Sequence, residues 1–212
     1  MQSIHHHIPD SLLAAYVSGA LPRPFGVVVA AHVSLCETCR AAMLAHEAAG
    51  GAILDSFEPI EVSSDLRERV LASLDDEVAP EPAPVQADGP LPAPVVEALG
   101  GRKPKWRSLG PGASQCILEH GAAGSVRLLK ISPGYEVPDH SHNGLELTLV
   151  LQGAFRDVTG RYGRGDLEVA DSDLEHTPIA EQGEACICLA ASDAPLKFSS
   201  LIPRIFQPIF RI

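Results

Sequence analysis

His32, Cys36 and Cys39 form an H-x-x-x-C-x-x-C run, and imidazole nitrogens and thiolate sulfurs are the donors that hold zinc. On one helix, offsets of four and three residues bring the imidazole and both sulfurs to a single face, one turn apart, as most of a tetrahedral site. The run lacks a fourth ligand. His5, His6 and His7 supply three candidates from the N-terminal segment. A His2Cys2 set closed by protein groups leaves no position open to substrate, which is the pattern of structural rather than catalytic zinc. The competing readings of C-x-x-C are a redox pair and two unrelated buried thiols. A redox pair of the thioredoxin kind follows a strand in a βαβ setting, whereas the flanks at 27–31 and 40–49 are Ala-rich and helical in pattern, which favours zinc. His46 on the same stretch reads as a solvated helical histidine.

A second set of donors stands later in the chain. His140 and His142 are two apart and face the same way on a strand, and Glu146, after Asn143-Gly144, can return a carboxylate to the same point. His176 arrives after a further hairpin at Gly165. Three imidazoles and one carboxylate suit zinc, iron, manganese, nickel or copper. Cys186 and Cys188 also share one face of an expected strand. Near a metal they are oxidation targets and buried they are ordinary small hydrophobes, the buried reading being the default.

The elements that must position these groups fall into two unlike halves. Residues 1–75 read as helical: Asp10 caps a helix carrying Leu12, Leu13, Tyr16 and Val17 that ends near Gly19 and Pro22. A second helix carries the whole H-x-x-x-C-x-x-C run and fades at Gly50 and Gly51. A third begins at Ser63 or Ser64 and spaces Leu66, Val70 and Leu74 four apart, a narrow stripe that buries in its own domain by default or docks on a partner. Residues 76–96 hold prolines at 80, 82, 84, 90, 92 and 94 and read as an extended linker. At about 3.1 Å per residue it would let two domains reach different parts of one partner. From residue 97 to 212 the pattern becomes short Val, Leu and Ile segments at 115–119, 125–131, 145–151, 166–170, 185–191 and 196–200, broken by Gly, Pro, Asp or Asn. Such strands imply a sandwich or small barrel. The last residues, LIPRIFQPIFRI, read either as a packing segment or as a means of self-association.

Bulk properties narrow the classes. A length of 212 residues allows one mid-sized or two small domains. No apolar run is long enough to cross a bilayer, and the histidine-rich start lacks the form of a signal peptide, so a cytoplasmic protein with no membrane partner is expected. Five cysteines, an odd number, do not look like a disulfide framework. The formal charge of −11 argues against direct nucleic-acid binding and for a protein partner with a basic surface. Residues 1–77 carry four arginines against eleven carboxylates, so the acidity is concentrated in the helical part.

At the second donor set a resemblance becomes specific. The spacing G-x5-H-x-H-x3-E-x6-G is met by Gly134, His140, His142, Glu146 and Gly153, and it looks like the first motif of the cupins. The second cupin motif is met at Gly165 and His176, with Asp171, Asp173 and Ala180 in place of the usual Pro, Gly and Asn. A small helical H-x-x-x-C-x-x-C domain joined to a C-terminal cupin is similar to the ChrR-type zinc-binding anti-sigma factors. That resemblance implies a multidomain α and β chain: a zinc-binding helical bundle, a Pro-rich linker and a cupin β-barrel. It implies inhibition of an extracytoplasmic-function (group IV) sigma factor, released on singlet oxygen or photo-oxidative stress sensed through the cupin, and no enzymatic activity. It assigns His6, His32, Cys36 and Cys39 to zinc, with His5 or His7 as substitutes for His6, and His140, His142, Glu146 and His176 to zinc or another divalent transition metal. Leu66, Val70 and Leu74 then become candidate sigma contacts. The alternative is a metal-dependent cupin dioxygenase or isomerase carrying a helical regulatory domain, since such a donor set leaves metal positions open. A DNA-binding regulator is the weakest reading, for want of a basic recognition helix.

Overall fold

The computed structural model describes residues 3–74, 83–141, 144–172 and 174–194, and the backbone of 197–198. His142, Pro80, Pro82 and the C-terminal segment read as a packing or self-association element lie outside the described residues.

The helical part contains α1 (Asp10–Val17), α2 (Arg23–Leu35), α3 (Glu37–Asp55) and α4 (Leu66–Ser73). Pro9, not Asp10, occupies the cap of α1. Asp10 is the first helical residue, and its carboxylate takes His46 Nε2 at 2.8 Å, so His46 ties α3 to α1 rather than standing free in solvent. The stretch expected as one helix through the H-x-x-x-C-x-x-C run is two helices, bent by 116°. Cys36 makes the break: its backbone is extended at φ −107 and ψ 110, and its N–H closes α2 on His32 O at 2.8 Å. Its sulfur also accepts from Cys39 N at 3.5 Å, filling the N-cap role usually taken by a Ser or Asp oxygen. Beyond the break α3 continues through Gly50 and Gly51 to Asp55, because nothing at those two helical positions requires a turn. The last helix buries no residue, so the stripe does not pack at home: Val70 and Leu74 are exposed.

The β part comprises β1 (Arg107–Gly110), β2 (Ala113–Gly121), β3 (Gly124–Ile131), β4 (His140–Ser141), β5 (Glu146–Gln152), β6 (Ala154–Arg156), β7 (Arg161–Gly163), β8 (Leu167–Ala170), β9 (Glu175–His176), β10 (Ile179–Ala180), β11 (Cys186–Ser192) and β12 (Lys197–Phe198). A six-stranded antiparallel sheet in the order β1-β2-β3-β11-β5-β8 faces two three-stranded sheets, β10-β6-β7 and β12-β4-β9. Between the large sheet and β10-β6-β7 lies an inner core of Ile131, Val150, Phe155, Tyr162, Ala180, Cys186 and Cys188.

The boundary between the halves is packed. The outer face of the large sheet, through Val126, Leu128, Leu147, Leu149 and Leu189, shares one hydrophobic core with Phe25, Val28 and Val29 of α2. Strands covered on both faces lose the in-out alternation of a solvated sheet, which is why ELTLVLQ and CICLAAS read as nearly continuous apolar runs. The end of the segment expected as linker joins this core as well. Residues Ala93–Ala98 form a short helix, α5, with fully buried Val95 on α2 and Leu91 and Leu99 beside it. Prolines at 92 and 94 permit this because they sit at the cap and first turn, where no helical N–H is lost. The linker reading therefore fails over residues 91–96, and a free span between independent domains fails with it. No single described helix is long and apolar enough to cross a membrane.

Candidate metal centres

At the elbow between α2 and α3, donor atoms of His7, His32, Cys36 and Cys39 lie within 4.8 Å of one another. His7 Nδ1 is 3.3 Å from Cys36 Sγ and 3.6 Å from Cys39 Sγ. A tetrahedral ion with bonds of about 2.0–2.3 Å sets nitrogen and sulfur ligands about 3.5 Å apart, so the spacing suits zinc. His32 is fully buried, and neither of its ring nitrogens meets a partner in good hydrogen-bond geometry; the Gly165 backbone close by opposes the fall in its pKa only weakly. Burial, then the neighbouring His7, pushes its pKa down to about 4, so it is a neutral imidazole with a free donor. Burial also raises the Cys39 thiol to about 11. Two orphaned nitrogens in a dry pocket against two sulfurs are what a bound cation would satisfy.

The expected fourth ligand shifts by one residue: His7, and not His6, faces the sulfurs. In the extended segment before α1, successive side chains point in opposite directions. The ring of His6 lies on Tyr162 of β7, with centroids 4.3 Å apart, which turns His7 back toward the elbow. Backbone bonds hold this register. His5 N and His6 N donate to Asp166 Oδ1 at 2.6 and 2.9 Å, and Leu167 N donates to His6 O at 3.1 Å.

In the barrel, β4 pairs with β9 so that His140 lies opposite His176, their Nε2 atoms 3.2 Å apart. Two imidazoles bound to one ion have about that separation. The rear nitrogens are both held: His140 Nδ1 by Pro138 O at 2.8 Å, His176 Nδ1 by Asp157 Oδ2 at 2.6 Å. Glu168 Oε1 is 3.4 Å from the same His176 nitrogen. Such rear contacts fix a ligand's tautomer and aim its other nitrogen. Burial raises Glu168 to about 7, with the contact to His176 opposing the rise and the hydrogen bond with Asp157 adding to it. Against its own burial, Asp157 is held at about 2 by hydrogen bonds from Thr159, Glu168 and His176. His176 is raised to about 9, also against burial, by bonding to Glu168 and Asp157. Glu146 begins β5 on the lumen side, where its carboxylate accepts from Thr148 Oγ1 at 3.1 Å. Cys186 and Cys188 are both buried in this lumen, their sulfurs 3.6 Å apart; contact with Cys186, then burial, raises the Cys188 thiol.

Of the expected donors, the fold brings His32, Cys36 and Cys39 together at one point and His140 and His176 at another. The donor atoms that lie within 4.8 Å of one another at His176 are those of Asp157 and Glu168, a set that does not include Glu146, and His142 lies outside the described residues. Asp157, Thr159, Tyr162, Asp166 and Glu168 were not anticipated. Asp157 belongs to a D-V-T-G stretch that carries an ordinary turn signal, and its contact with His176 spans 19 residues that no local spacing encodes.

Residues 100–194 match the family described as the ChrR cupin-like domain. The anti-sigma-E factor ChrR of Cereibacter sphaeroides is 51% identical over 213 residues, spanning 99% of this chain and 100% of that protein. The crystal structure of Rhodobacter sphaeroides SigE in complex with the anti-sigma ChrR matches with a TM-score of 0.80 at 48% identity, covering 90% of this chain and 100% of that one. Sequence likeness thus runs end to end and the fold corresponds over 90% of this chain, and the chain belongs to the ChrR family.

Proposed function

We propose that this chain is an anti-sigma factor, inhibiting an extracytoplasmic-function sigma factor and releasing it when the cupin half registers singlet oxygen or related photo-oxidative stress. The observation that carries the reading is the apolar surface from the end of α3 through α4. Phe57 is 68% exposed, Ile60 88% and Leu74 72%, with Ile53, Leu54 and Val70 also exposed. So much uncovered apolar surface on a soluble-type helical half is the mark of a docking face. Its setting among carboxylates favours a partner with basic surfaces, where charge speeds encounter and apolar contact sets affinity. End-to-end likeness to a protein named as an anti-sigma factor favours this over a cupin enzyme with a helical passenger.

In this reading His7, His32, Cys36 and Cys39 hold a zinc that pins the N-terminal segment to the elbow. His140 and His176, with His142 and Glu146, hold zinc or another divalent transition metal in the barrel. The first ion would supply a crosslink and the second a centre through which the cupin half responds to oxidant. Of the stripe residues, Val70 and Leu74 are the better sigma contacts, since Leu66 is half-buried.

Mixing the full chain with a cognate sigma factor is expected to give a 1:1 complex by light scattering. Phe57→Asp or Leu74→Asp should weaken it at least about 100-fold, as loss of a central apolar anchor does. Unchanged affinity in both variants would remove α3–α4 from the interface.

A further inference from the structure

Between the two centres runs a continuous set of contacts, from the group behind one barrel histidine to the segment that carries one elbow ligand. His176 Nδ1 meets Asp157 Oδ2 at 2.6 Å, and the Thr159 hydroxyl donates to the other oxygen of Asp157 at 2.6 Å. With that proton committed, the Tyr162 hydroxyl donates to Thr159 Oγ1 at 2.9 Å. The Tyr162 ring is wedged between Phe155, at 5.0 Å, and His6, at 4.3 Å. One peptide bond beyond His6 is His7, whose Nδ1 faces both sulfurs of the elbow. A second tie starts at the same turn: buried Asp166 accepts from Gly163 N at 2.8 Å with one oxygen and from His5 N and His6 N with the other.

We infer that residues 4–8 form a strap through which the barrel centre sets the position of His7, with Thr159, Tyr162 and Asp166 as its positioning residues. This inference rests on the reading of both clusters as metal centres. The packed alternative, through α2 and the outer face of the large sheet, rests on apolar side chains and the Arg23–Glu119 ion pair at its edge, and His176 is not among its members. The strap instead begins at a lumen histidine and ends at an elbow ligand. Ligand distances to a metal are tolerant only to about 0.2 Å. A shift of a few tenths of an ångström at Tyr162, when His176 loses its partner, is therefore large on the scale that holds His7.

The test uses the full-length chain loaded with cobalt(II), whose thiolate charge-transfer absorption reports the elbow; loss of the band in Cys39→Ala verifies the assignment. The rate at which a chelator strips that cobalt is measured with and without His140→Ala, in the parent and in Thr159→Val and Tyr162→Phe backgrounds. Such a double-mutant cycle isolates coupling from the separate effects of each change. The expected result is that His140→Ala alters the elbow rate at least about fivefold in the parent. In either background the factor should fall below about twofold. Should Tyr162→Phe fail to fold, Thr159→Val alone completes the cycle. No effect of His140→Ala in the parent, or the same factor in every background, overturns the strap while leaving both centres standing. A parent with no thiolate–cobalt band overturns the metal reading itself, and the inference with it.

Discussion

At the elbow, His32 is sealed from solvent with neither ring nitrogen bonded, whereas in the barrel His140 and His176 each have the rear nitrogen gripped by a protein oxygen. A buried polar group without a partner costs about 1–3 kcal/mol, so the elbow is incomplete until a cation joins it. The rear nitrogens of the barrel histidines are already held by protein oxygens, so no ion is needed to orient the rings. The elbow therefore suits a permanent crosslink, and the barrel suits a centre whose ion can react or exchange without unfolding the walls. Sequence separation follows the same division. The elbow takes three of its four donors from eight consecutive residues, while His140 meets His176 across 36 positions.

The sharpest way to break this contrast is to remove one ligand from each centre. Cys39→Ala should cost more than about 4 kcal/mol and one equivalent of bound metal, because it discards the crosslink and leaves His32 unsatisfied. His140→Ala should cost about 1–2 kcal/mol, with the barrel still folded. Equal losses of melting temperature, alongside metal analysis, would erase the distinction.

Next in size is the shared core. Leu189, fully buried, is a sheet residue whose face is covered by α2. Leu189→Ala should cost about 2–5 kcal/mol and lower a single transition. The only tryptophan, Trp106, lies in the β half, so its fluorescence and the far-UV helical signal should move together. Two separate transitions would show the halves to be independent after all.

Smallest, and opposite in sign at the two centres, is the pH dependence of the metal-free protein. His32 is lowered from 6.5 to about 4, so the unfolded chain binds more protons in that window and elbow stability should rise as pH goes from 4 to 6.5. His176 is raised from 6.5 to about 9: its contribution is complete below 6.5 and is lost as pH climbs through 9. Glu168, raised from 4.5 to about 7, adds to the same decline between 4.5 and 7. Because the two halves unfold together, a melting series from pH 4 to 9 on His32→Gln and on His176→Gln separates the trends, the first losing the rise and the second the decline. A pH profile unchanged in both variants would contradict the contrast.

What could be read from the residues alone was whatever spacing encodes. The donor types at 32, 36 and 39, the pair at 140 and 176, and most of the large-sheet strands are legible because motif offsets and apolar runs are local properties. The break at Cys36 was not, since no Gly or Pro marks it and a sulfur serves as the cap. Proline content at 92 and 94 misled for a related reason: the same residues that bar a helix interior are welcome at its start.

Types, spacing and the split between an acidic helical half and a β half were thus determined along the chain itself. The choice of His7 over His6, the docking of α5, the single core and the Asp157-Thr159-Tyr162 contacts were decided only in three dimensions. Each of these depends on which surface a residue finds opposite it across many positions, and that is a property of packing rather than of periodicity.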